Sequence, residues 1–191
     1  MANTNVARGL VPVRMADGSP YNGAVDMFYV PASDTTALYR GDPVILAGSA
    51  DAAGVASVTR AAASAAISGV VVGFADPTSM EAGFRAASSA AYVLVSHQQD
   101  VLYEIQDDGV GGAIAATDIG LNADIVVAAG NAYSKQSGVM LDTSTKATTV
   151  TLPLRIRGLA QRPDNEMGTN AKVLVTRNNT TETPGTASVG I

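Results

Sequence analysis

Apolar and polar side chains alternate along most of this chain in short runs, and glycine or proline punctuates the runs. Residues 54–60, Gly-Val-Ala-Ser-Val-Thr-Arg, show the period of two that marks a half-buried strand. Residues 24–30 are rich in β-formers and stop at Pro31. A Gly41-Asp42-Pro43 turn leads into a further run at 44–48. Residues 67–74 form a continuous β-branched run, which predicts the most buried strand, with Gly69 and Gly73 marking bulges or close backbone approach. Residues 91–96 and 101–106 read as two strands joined through His97-Gln98-Gln99-Asp100. Runs at 125–128, 139–141 and 147–152 lead into a C-terminal hairpin whose strands are 152–160 and 171–177. Residues 61–66 read as a small-residue link and 76–90 as a surface loop, and 113–120 is the best helix candidate. About ten to twelve short strands separated by turn signals predict a mainly β fold with little helix, an antiparallel sandwich or barrel of jelly-roll-like or β-tulip-like form. No strand–helix–strand alternation of useful length occurs, which disfavours a parallel α/β fold.

The same pattern gives the organisation. Residues 1–23 contain Gly9, Pro12, Gly18, Pro20 and Gly23 and lack periodicity, so they read as an extended N-terminal arm. Leu10, Val11 and Val13, with Arg14 beside them, give this arm an apolar stretch suited to docking on a partner. Residues 24–178 read as a single β domain and 179–191 as a polar, extended tail.

Composition narrows the class. Hydrophobic residues make up 47% of the 191, but much of this is alanine, and charged residues are only 15%. That is well below the roughly 25% common in soluble domains, and two readings stand equally on composition: a surface much of which meets other proteins, or a chain simply rich in small residues. The formal net charge of −5 is uneven: residues 61–150 hold three basic and nine acidic side chains, residues 151–191 five basic and three acidic. No concentrated basic footprint exists for phosphates, so direct nucleic-acid binding is not expected. With no cysteine, disulfides and thiolate metal sites are excluded. The first ten residues hold no signal-like apolar run, and no stretch approaches the roughly 20 apolar residues that span a bilayer. The expectation is cytosolic maturation without a membrane partner.

Candidate chemistry is sparse. His97 is the sole histidine, and Ser96 and Asp100 lie too close in sequence for a catalytic triad, so it reads as structural or solvated. Asp107-Asp108 before glycines lacks the alternating acids of a calcium loop and reads as a solvated turn. The glycines at 109, 111 and 112 are followed by no phosphate-binding lysine and helix. Glu81, Glu104 and Glu166 sit in no suggestive context for paired-carboxylate chemistry. No catalytic residue, metal site or cofactor is expected.

The hairpin tip differs in kind. In Arg162-Pro163-Asp164-Asn165-Glu166, proline presets φ while Asp164 and Asn165 hydrogen-bond nearby backbone, and Gly168 permits a positive φ. Two readings stand: a well-made turn, or an interface in which Arg162 and Glu166 reach a neighbouring subunit through charge-assisted hydrogen bonds. Arg-Pro-Asp-Asn-Glu-x-Gly at 162–168 and Ala-Lys-Val-Leu-Val at 171–175 resemble structural proteins of tailed bacteriophages. So do Gly9-Leu10-x-Pro12-Val13-Arg14, Gly18-Ser19-Pro20-Tyr21-Asn22-Gly23, Gly41-Asp42-Pro43-Val44 and the 67–73 strand. The family this resemblance suggests is the capsid cement or decoration proteins. It implies a β-rich protein on the exterior of the virion, assembled in the host bacterial cytoplasm. It also implies a dimer or trimer that bridges and stabilises major capsid protein subunits. Another virion component, such as a head fibre or tail protein, is the second expectation, and a carbohydrate-binding β-sandwich the third. Nine aromatics and no tryptophan argue against sugar stacking. An enzyme comes last.

Overall fold

The computed structural model describes residues 3–181 and residue 190. The chain forms two β units. Strand β1 (Val11–Met15) leaves the first unit at once, and the next five strands build the second: β2 (Asp26–Val30), β3 (Pro43–Ala50), β4 (Ala56–Arg60), β5 (Gly69–Phe74) and β6 (Ala91–Ser96). These five close into a barrel in the order β2-β4-β3-β5-β6. The chain then returns beside β1 as β7 (Val101–Gln106) and continues with β8 (Asn122–Val126), β9 (Met140–Ala147), β10 (Leu154–Leu159) and β11 (Lys172–Arg177). With β1 they make a six-stranded sheet ordered β1-β7-β11-β10-β8-β9. The mainly β class, with its sandwich or barrel form, is as the alternation implied.

The Val-rich run at β5 lies in the wall between the two units. Val71 and Phe74 face the barrel interior with Val30, Leu38, Val44, Val58, Val93 and Val95. Val70, with Ile67 just before the strand and Ala61 just after β4, packs instead into the core under the six-stranded sheet, with Tyr103, Ile105, Leu141, Ile156 and Val173. Both glycines of this run do what the sequence suggested. A Cβ at Gly69 would come 2.4 Å from Val95 Cγ1, and the β5–β6 register shifts between Val71 and Gly73.

Several elements differ from expectation. The stretch read as a surface loop contains a helix, α1 (Pro77–Ala82): the Asp76 carboxylate accepts from Ser79 N, Pro77 opens the first turn, and Gly83 closes it at φ 75°. Six residues are too few for a helical period to show. The helix candidate at 113–120 is only a 3₁₀ turn, Ala116–Asp118. The strand expected at 147–152 is largely turn. Asn178 Nδ2 donates to Val150 O and Leu152 O at 3.0 Å each, and Asn179 Nδ2 to Thr151 O at 3.0 Å, so distant side chains fold this stretch inward. Strands β6 and β7 do not form a hairpin, because one belongs to the barrel and the other to the sheet. Asp107 is not solvated but fully buried, accepting from the backbone N–H groups of Gly109, Asn170 and Ala171. Burial pushes its carboxyl above the usual aspartate range, and those bonds partly offset it.

The arm expected at 1–23 docks on its own chain. Its centre is strand β1, paired antiparallel with β7. Before it, Val6 N donates to Gln106 Oε1 at 2.8 Å, and Asn3 clasps the backbone at Glu166 and Thr169. The tail expected at 179–191 lies mostly outside the described residues, at 182–189 and 191.

Candidate interaction trough along strand β1

Strand β1 is the edge of the six-stranded sheet, and three strands meet in one row beneath it: Val11 opposes Glu104 on β7, which opposes Leu174 on β11. Cross-strand partners share a face, and this row floors a groove of about 630 Å³. Pro12, Val13, Arg14 and Arg8 form one wall, Ala160, Gln161 and Arg162 the other. A second depression of about 230 Å³ shares Arg8, Val11 and Pro12 and runs on past Tyr21 and Arg40 to Val71 and Val72 of the barrel. The two adjoin along β1 between the hairpin tip and the barrel, and are together termed the trough.

Local backbone geometry fixes the Arg8 end. Gly9 adopts φ 68° and Gly41 φ 91°, and a Cβ on Gly9 would sit 2.3 Å from Gly41 O. Only paired glycines let the two segments approach so closely. Leu10 N then donates to Gly41 O at 2.9 Å. Beneath this junction Asp42 is fully buried, accepting from Tyr39 N at 2.8 Å and Ser137 Oγ at 2.5 Å. Desolvation holds its carboxyl above the ordinary range. The pair ties the barrel's β3 turn to the segment entering β9.

The trough is electrically lopsided. Arg162 Nη1 donates to both Glu104 oxygens, at 3.0 and 3.3 Å, and Glu104 first, then Asp164, raises the guanidinium pKa. Arg8, Arg14 and Arg40 make no ion pair among the described residues. Arg8 and Arg40 are exposed, and Arg14 is half-buried.

Of the eight residues expected at a partner interface, four line the larger depression, Val11, Val13, Arg14 and Arg162, and Leu10 borders the smaller one. Val13 is 45% exposed and sits at a register shift between Pro12 and Arg14. Leu10 must be corrected: at 1% exposure it belongs to the core, because Leu10 and Val11 point to opposite sides of the chain. The hairpin tip is turned onto its own molecule. Asn165 Nδ2 donates to Ala160 O and Lys172 O at 2.8 Å each, and its Oδ1 accepts from Lys172 N at 2.8 Å. Asp164 pairs with Arg162 at 3.3 Å and Lys172 at 3.8 Å, and Glu166 N donates to Asn3 Oδ1 at 3.0 Å.

Sequence reasoning missed Arg8, Arg40, Glu104 and Leu174. Alternation along β7 and β11 puts Glu104 and Leu174 on the outer face, but which strands are neighbours is not a local property. As for reaction chemistry, His97 Nε2 contacts the Asp26 carboxylate, and the Asp42–Ser137 pair lies in the interior without a histidine. Among the described residues no three His, Asp or Glu side chains converge as a metal site. No helix among the described residues is long and apolar enough to cross a membrane. What the arrangement offers is a groove with Val11 and Leu174 either side of Glu104 in its floor and guanidinium groups at its rim. The chain matches no family model, no curated protein and no solved structure.

Proposed function

We propose that this protein is a structural binding protein of a tailed-bacteriophage virion, a decoration protein that attaches to the outer surface of the major capsid protein shell. Bridging neighbouring subunits, it stabilises the shell. The observation that carries the reading is the trough. The phage-like motif around Arg14 and the phage-like hairpin at Arg162, far apart in sequence, form opposite walls of one groove. A protein bound in many copies can hold a lattice through individually weak contacts, since multivalency raises the effective affinity. A shallow groove on a rigid β platform suits that task, and it implies no reaction. Purified protein mixed with expanded capsids should co-sediment with them and raise their rupture temperature. Capsids that rupture at an unchanged temperature, with the protein left in the supernatant, would overturn the proposal.

A further inference from the structure

We infer that the occupant of the trough is an extended acidic segment of a protein partner, one that alternates carboxylates with aliphatic side chains. The inference deepens the function proposed above by naming the chemistry of what docks there, and it rests on the trough being the docking face.

Charge is the first argument. In a chain of net charge −5, three guanidiniums without an ion-pair partner among the described residues gather along one strand. Arg8 and Arg14 stand in the larger depression and Arg8 and Arg40 in the smaller one. Arg162 shows what a carboxylate does in this setting: Glu104 takes it in two hydrogen bonds. A guanidinium fork matches a carboxylate in two parallel bonds, so the remaining three are positioned to accept carboxylates supplied from outside.

Shape and backbone give the second argument. The two depressions share Arg8, Val11 and Pro12, so they adjoin along β1. Two depressions set one after the other along an extended strand suit a chain better than a compact small molecule. Val11 and Leu174 flank Glu104 in the floor of the larger depression, and Val11, Pro12 and Val72 give the smaller one an apolar lining. Such a lining rewards buried aliphatic side chains and gives nothing to a phosphate backbone. Tyr21 is the sole aromatic in the lining, too little to stack successive bases.

The edge of β1 also excludes simple strand addition. Pro12 has no N–H to donate, the register shifts beside it, and Met15 N already donates to Ser19 O at 2.9 Å. Recognition must therefore come from side chains in the trough, which places the specificity on the arginines.

The test is an NMR titration of the full-length ¹⁵N-labelled protein with a capped hexapeptide, Glu-Val-Glu-Pro-Glu-Val, and with its counterpart in which Gln replaces every Glu. The acidic peptide should shift amides at Val11, Val13, Arg14, Gln161 and Leu174. It should bind at least about tenfold more tightly than the Gln peptide, and lose at least about tenfold in affinity in Arg8→Gln/Arg14→Gln. Unshifted spectra of that variant elsewhere in the chain establish that it is folded. A smaller loss is expected for Arg40→Gln, at the far end of the trough. Equal binding of the two peptides would overturn the inference while leaving the trough as a docking face. Shifts confined to another surface, no shifts at millimolar peptide, or tighter binding of a hexathymidylate at the same amides would overturn it as well. Capsid attachment is read independently, so loss of attachment with acidic-peptide binding intact would remove the virion reading and keep the ligand chemistry.

Discussion

The barrel closes its hydrogen-bond ladder on itself, whereas the six-stranded sheet ends in two terminal strands, β1 and β9, that other segments must cover. At β9, Asp108 N donates to Leu141 O at 3.0 Å, Thr143 Oγ1 donates to Asp108 Oδ1 at 2.9 Å, and Gly111 lies flat against Ser144. At β1 the cover is partial: the return through Ser19 and Pro20 meets only Met15 and Arg14. Closure leaves a barrel with no backbone edge to satisfy, while an open sheet has edges to blunt. The trough lies where the sheet is least completely covered, and that is the lesson of the difference: the barrel is the platform, and the sheet's edge is the surface with binding capacity to spare.

The barrel has a cost of its own. Arg85 is fully buried near its end, and its guanidinium donates to Ser89 O at 2.7 Å, Pro31 O at 2.8 Å, Asp34 O at 2.9 Å and also Thr36 O, with the Asp34 carboxylate at 3.6 Å. Desolvation lowers its pKa and the Asp34 carboxylate opposes that, while the backbone carbonyls fix the guanidinium in position. Arg85→Met keeps a long side chain but strips four carbonyls of their donor. The expected loss is about 3–5 kcal/mol, read as a lower urea midpoint with an unchanged slope. A loss below about 1 kcal/mol would show that backbone closure alone suffices and would break the contrast with the sheet.

Strands were legible in the sequence and buried polar groups were not. Residues 91–96 and 101–106 carry apolar side chains at the spacing of their final burial, and they became β6 and β7 without a shift of boundary. Arg85 stands among alanines and serines in a stretch that looks solvated, and its acceptors at Pro31, Asp34 and Thr36 lie in the β2–β3 connection, 49 to 54 residues earlier in the chain. Asp107 fails for the same reason, since two of its donors lie at Asn170 and Ala171. The trough was half legible. Val11, Val13, Arg14 and Arg162 stood out as candidate interface residues, while Glu104 and Leu174 in its floor required knowing that β1, β7 and β11 are neighbours. Local chemistry was read well at Asn165, whose capacity to bond nearby backbone is what it uses.

Asn165 is the sheet's counterpart of Arg85, a polar side chain that closes backbone, but it is half-buried and neutral. Asn165→Ala removes three hydrogen bonds and should cost about 1–3 kcal/mol, less than Arg85→Met. Hydrogen exchange sharpens the comparison further. Asn165→Ala should speed exchange at the tip ends of β10 and β11 and leave β2 and β6 protected. Equal acceleration in the barrel would mean that the shared core around Val70 and Ile67 makes the two units one cooperative block.

The smallest effect belongs to the tip's charges, and it decides between the two readings of the hairpin. Arg162 is 40% exposed at its side chain and is already held by Glu104 at 3.0 Å, so the pair is an exposed ion pair. Such pairs contribute about 0.2–1 kcal/mol, and Arg162→Ala should lower thermal stability by no more than that. The informative quantity is the ratio of this loss to any loss of capsid attachment in the double variant Arg162→Ala/Glu166→Ala. If the tip only closes a turn, attachment falls no further than the lost stability explains, and Arg14, on the opposite wall, is left as the dominant charge of the trough. If the tip reaches a neighbour, attachment falls well beyond it while the melting curve hardly moves, because the side chain would then be doing its work outside its own molecule. The Glu104 pair makes the first outcome the expected one: a guanidinium already satisfied within the chain must break two hydrogen bonds before it can offer them to a partner.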